Sequence, residues 1–310
     1  MTPDVQLGEA VEHRGIVLCP LFPRRDPVAS YITLDEALPR GLKITEIDDA
    51  GSVPELVVQN PLDERVLLYD GEELVGAKQN RILNVSVLVE AHSALKIPVS
   101  CVEQGRWSRR SELFASGGHI STHELRRRKA EAQAAQPLAR GIAQSEVWDA
   151  VHDEARRLSV HSPTGASADT FRAYERDLSA LEDAFPPQPG QCGAFFGLGE
   201  TFCVDVVSRP DAFARLWPKL RAGYLLDALE RLDGEPTPRA AIPTYLGLVD
   251  SAKRTSQPSA GLGQDVRLRG DRVIGAGLEL DGELLQLSAF SSEDGGRQAF
   301  GRIARPSRRA

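Results

Sequence analysis

LLYDGEELVGAKQNRILNVSVLV, Leu67 to Val89, decides the fold. Two apolar runs, Val66 to Tyr69 and Ile82 to Val89, enclose a polar strip, and Asp70-Gly71 between them is a type I′ hairpin signal. Pairing outward from that turn sets Tyr69 against Glu72 and Leu67 against Leu74, which keeps apolar residues opposite each other and leaves the acidic pair at a hairpin tip. Along the second run, alternation sends Leu83, Val85, Val87 and Val89 one way and Asn84 and Ser86 the other. Extended backward, the same alternation adds Lys78 and Asn80 to the polar face and turns Gln79 and Arg81 to the opposite side.

Antiparallel strands continue on both sides of this stretch. Strands are expected at Gly15 to Phe22, Lys43 to Ile47, Glu55 to Gln59, Arg65 to Tyr69, Ile82 to Val89 and Ala94 to Val102, between Pro, Gly, Asn and Asp turn signals. Thr33-Leu-Asp-Glu36 has capping-box spacing for one short helix, which Gly41 would stop. From Gly105 to Pro189 the chain turns rich in Arg, Ala, Glu and Gln with helical periodicity. Ser121-Thr-His-Glu124 opens a helix over Leu125 to Gln136, and Glu146 to Leu158 and Thr170 to Phe185 follow. The last third reads as a hairpin (Gly193 to Gly197, Phe202 to Val207), helices over Asp211 to Leu232 and Ala240 to Ala252, and strands Val273 to Glu279 and Leu284 to Phe290 across Asp281-Gly282. Gly197-Leu-Gly199-Glu200 reads as the turn of the first hairpin.

These elements predict an α+β fold, not a doubly wound parallel sheet. A strand-rich N-terminal part (antiparallel sheet or sandwich) precedes a helical middle and C-terminal helices packed on an antiparallel sheet. The expected divisions are 1–108, strand-rich with the polar strip; 109–190, helical; 191–301, α+β; and 302–310, a frayed basic tail. One integrated domain is the alternative.

At 310 residues, 41% apolar and 26% charged, the composition is that of an ordinary globular protein. The 44 acidic against 37 basic residues, a net charge of -7, argue against nucleic acid as a partner. Arg109-Arg110 and the Arg126 to Lys129 cluster, beside Glu124 and Glu131, read as solvated surface. With no signal-type start and no apolar run of about 18 residues, a cytoplasmic protein without membrane contact is expected. Cys19, Cys101, Cys192 and Cys203 lack Cys-x-x-Cys spacing and read as reduced, buried thiols; Cys101 has no histidine near it in sequence to make it a nucleophile. Gly-x-Gly-x-x-Gly after a strand, a Walker phosphate loop and Gly-x-Ser-x-Gly are all absent, and no cofactor is expected.

Two readings stand for the polar strip. Either it is a solvated hairpin whose carboxylates pair with their own Lys and Arg, or it forms a pocket. In the pocket, Glu72 or Glu73 acts as general base, Lys78 and Arg81 meet an anion, Gln79 and Asn80 orient the ligand, and Asp70 and Asn84 border it. Parity separates Lys78 from Arg81, so both can face one ligand only across a bend at Gly76 or Ala77. Cys101-Val-Glu-Gln-Gly-Arg-Trp107 adds Glu103, Gln104, Arg106 and Trp107 at the rim, with a base on Trp107 and a phosphate on Arg106. In the plainer alternative Trp107 closes the core and Arg106 bonds loop carbonyls. His119 and His123 have i, i+4 spacing, but a cap at Ser121 puts His119 outside the helix, and no metal site is expected. His152 and His161 read as partly buried or solvent-facing. Ser162-Pro-Thr-Gly165 is either an anion-binding turn or a chain reversal.

TLDEAL (Thr33 to Leu38), SVPEL (Ser52 to Leu56), LLYDGEELVGAKQNRILNVSVLV, IPVSCVEQGRW (Ile97 to Trp107) and SPTGA (Ser162 to Ala166) together resemble the ADP-ribosylglycohydrolase- and rhodanese-phosphatase-superfamily-associated protein domain family, and GLGETFCVDVV and LLQLSAF fit it too. That family comes with no established reaction. The resemblance implies a nucleotide-like ligand, an ADP-ribose or NAD-derived metabolite. On it, the protein binds a small phosphorylated metabolite, with processing of that metabolite left open; the alternatives are a noncatalytic module contacting a partner protein and a metal-assisted hydrolase. The sequence does not decide whether it is an enzyme.

Overall fold

A computed structural model describes residues 4–47, 54–135 and 143–292. The basic tail and the far end of the helix expected to reach Gln136 lie outside these residues. In chain order come β1 (Val5–Leu7), β2 (Val11–His13), β3 (Ile16–Pro23), β4 (Ile32–Thr33), α1 (Leu34–Ala37), β5 (Lys43–Thr45), β6 (Glu55–Asn60), β7 (Val66–Leu68), β8 (Glu72–Gly76), β9 (Arg81–Leu83), β10 (Val87–Val89) and β11 (Ser93–Cys101). Then follow β12 (Phe114–Ile120), α2 (His123–Ala135), α3 (Gln144–Arg157), α4 (Ser167–Ala173) and α5 (Glu175–Glu182). The last third holds β13 (Gly193–Leu198), β14 (Thr201–Val207), α6 (Pro210–Ala228), α7 (Ala241–Ser251), β15 (Lys253–Pro258), β16 (Gln264–Arg269), β17 (Val273–Leu280) and β18 (Glu283–Ser291). The fold is α+β, as the alternating and helical periodicities require.

The strands form three sheets. The largest runs β1-β3-β13-β14-β18-β17-β16-β15, with β2 also on β3; a second runs β12-β8-β9-β11-β6-β5; and a third, β10-β7-β4, contains a parallel pair, β4 with β7. Alternation sorts the large sheet's side chains onto two faces. Leu18 and Phe196 point to one core with Leu216, Trp217, Leu220 and Tyr224 of α6. Their neighbours Val17 and Phe195 point to the other, with Ile242, Tyr245 and Val249 of α7. The smaller sheets enclose a third core that includes Leu56, Val58, Leu68, Leu74, Leu83 and Val99. Because β3 pairs with β13, the first strands join the C-terminal sheet, and both ends of the described chain share it.

Helix α1 follows the expected box, the Glu36 carboxylate accepting from the Thr33 amide at 2.9 Å and its hydroxyl at 2.8 Å. Gly41, at φ +111°, ends the short 3-10 turn after it. All four cysteines are free and buried. No helix among the described residues is long and apolar enough to cross a membrane.

Several elements differ from expectation. The chain does turn at Asp70-Gly71, the Glu72 amide donating to the Tyr69 carbonyl at 3.1 Å, but β7 and β8 then part. Leu67 lies opposite Leu88, not Leu74, and β8 pairs with β9 and β12. The Glu72 carboxylate folds back onto the Tyr69 amide at 2.8 Å, which removes that donor from a hairpin ladder. Ile82 to Val89 is two strands: β9 stays beside β8 and β11, and β10 crosses to β7. The helix expected at Thr170 to Phe185 breaks at Tyr174, whose hydroxyl donates to the Leu158 carbonyl at 2.7 Å. Strand β12 lies in the segment read as helical, where Gly117-Gly118 and a register shift between Ser116 and Ile120 hide its alternation. The polar strands β15 and β16 were likewise not anticipated.

Candidate functional site

Gly76 ends β8 at φ +126° and Ala77 follows at φ +38°, so the bend that the polar strip requires is present. A left-handed alanine persists only where its surroundings hold it. Arg106 does the holding. Its Nη1 donates to the carbonyls of Ala77 and Ser108 (2.8 and 2.9 Å), its Nη2 to the Gly76 carbonyl and Asn80 Oδ1 (3.2 and 3.1 Å), and its Nε to Glu103 at 2.8 Å. With these five bonds the guanidinium has no free fork for a phosphate. The phosphate role expected of Arg106 is therefore corrected: it bonds loop carbonyls.

Glu103 belongs to the same clamp, accepting from the Asn80 amide at 3.1 Å and the Thr164 hydroxyl at 3.0 Å. Burial acts to raise its pKa, but Arg106 and these hydrogen bonds hold it below the ordinary carboxylate value. Ser162-Pro-Thr-Gly165 docks here as a chain reversal: the Gly105 amide donates to the Thr164 carbonyl at 2.7 Å, and Gly165 sits at φ +62°. The Ser162 hydroxyl bonds Asp169 at 2.6 Å and takes the Ala166 amide at 2.8 Å, which satisfies the turn internally.

Trp107 does not close the core. It is 50% exposed, with Lys78 Nζ 5.4 Å and Arg81 Cζ 5.9 Å from its ring centre. Gln104, exposed beside it, accepts from the Gln79 amide through its carbonyl at 3.4 Å. Arg81 is completely buried, its Nη1 on Gln79 Oε1 at 2.9 Å and 2.6 Å from Cys101 Sγ. Its Nη2 stands 3.6 Å from Glu46 Oε1. Burial pushes the Cys101 thiol up to about 11, which leaves little thiolate for nucleophilic attack.

The two catalytic candidates face apart, and their burial overturns the solvated-hairpin reading. Glu72 meets Lys219 at 3.0 Å; burial raises its pKa against the pull of that ammonium. Lys219 also bonds Asp35 at 2.7 Å and the Ser116 hydroxyl at 2.6 Å, so it ties four elements together. Glu73 takes the Asn80 amide at 3.2 Å and stands 2.9 Å from Nε2 of His119, whose ring stacks on Phe171 at 3.6 Å.

Asp70 and Asn84 belong to a different seam. Lys129 donates to Asp70 at 2.5 Å and to the Leu83 carbonyl at 2.7 Å, and Asn84 takes the Ser100 hydroxyl at 2.9 Å. Arg126 and Lys129 are thus buried rather than solvated; only Arg127 and Arg128 of that cluster face outward, paired with Glu124. The structure brings together Glu73, Lys78, Gln79, Asn80, Arg81, Glu103, Gln104, Arg106 and Trp107, and separates Asp70, Glu72 and Asn84 from them.

Glu46, His119 and Thr164 complete the site and were not anticipated in it, since each arrives through a contact distant in sequence. Helix α2 starts at His123, with Thr122 rather than Ser121 accepting from the Leu125 amide at 3.4 Å. His119 lies outside the helix as expected, and His123 pairs with Asp227. Among the described residues no group of three or more His, Cys, Asp or Glu is placed to hold a metal ion. A cavity of about 670 Å³ opens between Val28, Asp63, Glu64, Arg65, Asp281 and Glu283, where the carboxylates outnumber the one guanidinium and disfavour phosphate.

The model of the ARG and Rhodanese-Phosphatase-superfamily-associated Protein domain matches residues 4–290 of the chain. No curated protein and no solved structure matches. The family's description leaves ARG unexpanded, so the ADP-ribosylglycohydrolase in the expected resemblance goes further than the match does. The chain belongs to the ARG and Rhodanese-Phosphatase-superfamily-associated Protein domain family.

Proposed function

We propose that this protein binds a phosphorylated nucleotide metabolite, of the ADP-ribose class, on the face presented by Trp107. The observation that supports this most is a half-exposed indole on a backbone clamped by Arg106. A large aromatic side chain left outside the core yet held on a rigid base suits stacking, because ordering it on binding costs little. Lys78 beside the ring supplies positive charge for a phosphate, and the exposed Gln104 amide suits a ribose hydroxyl.

The geometry supports binding more than turnover. Glu72 is engaged by Lys219, and Glu73, which stands beside His119, is buried with it. Isothermal titration with ADP-ribose, AMP and ribose 5-phosphate tests the reading. Saturable binding of ADP-ribose is expected, weakened about five- to 150-fold in Trp107→Ala, since base–aromatic stacking contributes about 1–3 kcal/mol. Absence of binding at millimolar ligand, or equal affinity in the variant, would refute it. The partner-protein reading is favoured by Leu113, 44% exposed on the same segment as Trp107; it predicts that Trp107→Ala abolishes partner capture while no nucleotide binds.

A further inference from the structure

Arg81 and Glu46 form an incomplete pair behind Trp107. Their side chains are 0% and 4% exposed, yet Arg81 Nε and Nη2 and both Glu46 carboxylate oxygens have no hydrogen-bond partner among the described residues. Buried polar atoms are almost always paired, so four orphans on two facing charges ask for a bonding partner. The guanidinium cannot simply rotate onto Glu46. Gln79 and Cys101 hold its Nη1, which fixes the plane and leaves the Nε–Nη2 edge without a hydrogen-bond partner among the described residues.

The chemistry of the missing partner follows from the two charges. A phosphate or carboxylate would satisfy Arg81 and be repelled by Glu46; an ammonium would do the reverse. Both are satisfied by a neutral edge carrying an acceptor beside a donor, which is what a nucleobase presents. We propose that Arg81 and Glu46 read the edge of the ligand's base, Arg81 donating to a ring nitrogen or carbonyl and Glu46 accepting from an adjacent amino or imino group. This rests on the reading of Trp107 as a nucleotide platform and adds its base selectivity. The indole ring centre lies 5.9 Å from the guanidinium carbon, and Arg106 keeps the loop backbone in place.

The test compares AMP, its 6-dimethylamino analogue and ribose 5-phosphate by titration calorimetry against the full chain. The analogue keeps the phosphate, ribose and stacking surface but has no amino hydrogen for Glu46. It is expected to bind at least tenfold more weakly than AMP, and Glu46→Gln, confirmed folded by its melting temperature, to reduce that preference. Equal affinity for AMP and the analogue would overturn the base-edge reading and leave the Trp107 platform standing. Binding by none of the three would overturn both.

Discussion

Glu154 is a carboxyl group in the wrong medium. It sits on α3, fully enclosed, with Oε2 accepting from the Thr122 hydroxyl at 2.8 Å and Oε1 unbonded. Burial, followed by the nearby charge of Asp227, pushes its pKa up to about 8, against the Thr122 hydrogen bond. In the unfolded chain the group titrates near 4.3. The folded state therefore holds a proton that the unfolded state releases, so stability is greatest below the unfolded value and falls as pH rises, levelling off above about 8. The expected loss between pH 5 and 8 is on the order of a few kcal/mol. Urea midpoints for the wild type and Glu154→Gln across that range measure it: the variant should lose this part of the slope, and parallel curves would show that Glu154 is ionised throughout.

At the scale of elements, α2 joins the sheets through polar side chains as well as through Leu125 and Ala130. Arg126, Lys129 and Gln133, at i, i+3 and i+7, occupy one face. Arg126 pairs with the buried Asp205 of β14, which also accepts from Tyr69 at 2.7 Å and Ser288 at 2.5 Å. Burial opposes the charge on Asp205, but Arg126 and the Ser288 and Tyr224 hydroxyls hold it at about 2. Gln133 donates to the Asn84 carbonyl at 3.0 Å and accepts from Arg267 at 2.5 Å. Removing one member of a buried pair leaves the other charge uncompensated. Lys129→Met should cost about 3–5 kcal/mol, and Asp70→Asn added to it should restore part of that. A chemical-denaturation double-mutant cycle with strictly additive losses would contradict the coupling. The helix itself was legible from its periodicity. Its burial was not, because a charged face reads alike in solvent and against a matching carboxylate.

Across the whole molecule, the pairing of β3 with β13 and the bonds from α2 to both sheet systems link regions that sequence order keeps apart. Unfolding should accordingly be one cooperative transition, with tryptophan fluorescence and far-ultraviolet circular dichroism giving the same urea midpoint. Two separated transitions would mean that the sheets fold independently.

What the sequence determined by itself is what depends on near neighbours. Period-2 runs, the Thr33 to Glu36 box and the turn at Asp70-Gly71 all follow from local sterics and hydrogen bonding. The gathering of Gln79, Asn80, Glu103 and Arg106 around one loop was expected in the pocket reading, but contacts across more than twenty residues produce it. Tertiary structure alone decided that β7 and β8 part, that Glu72 and Glu73 face different partners, that Arg106 is a clamp, and that Glu46 and His119 reach the polar strip. Each of these depends on which distant group satisfies a buried charge. A chain's local pattern does not contain that choice, because the cost of an unpaired charge is set only once the surrounding elements have excluded water.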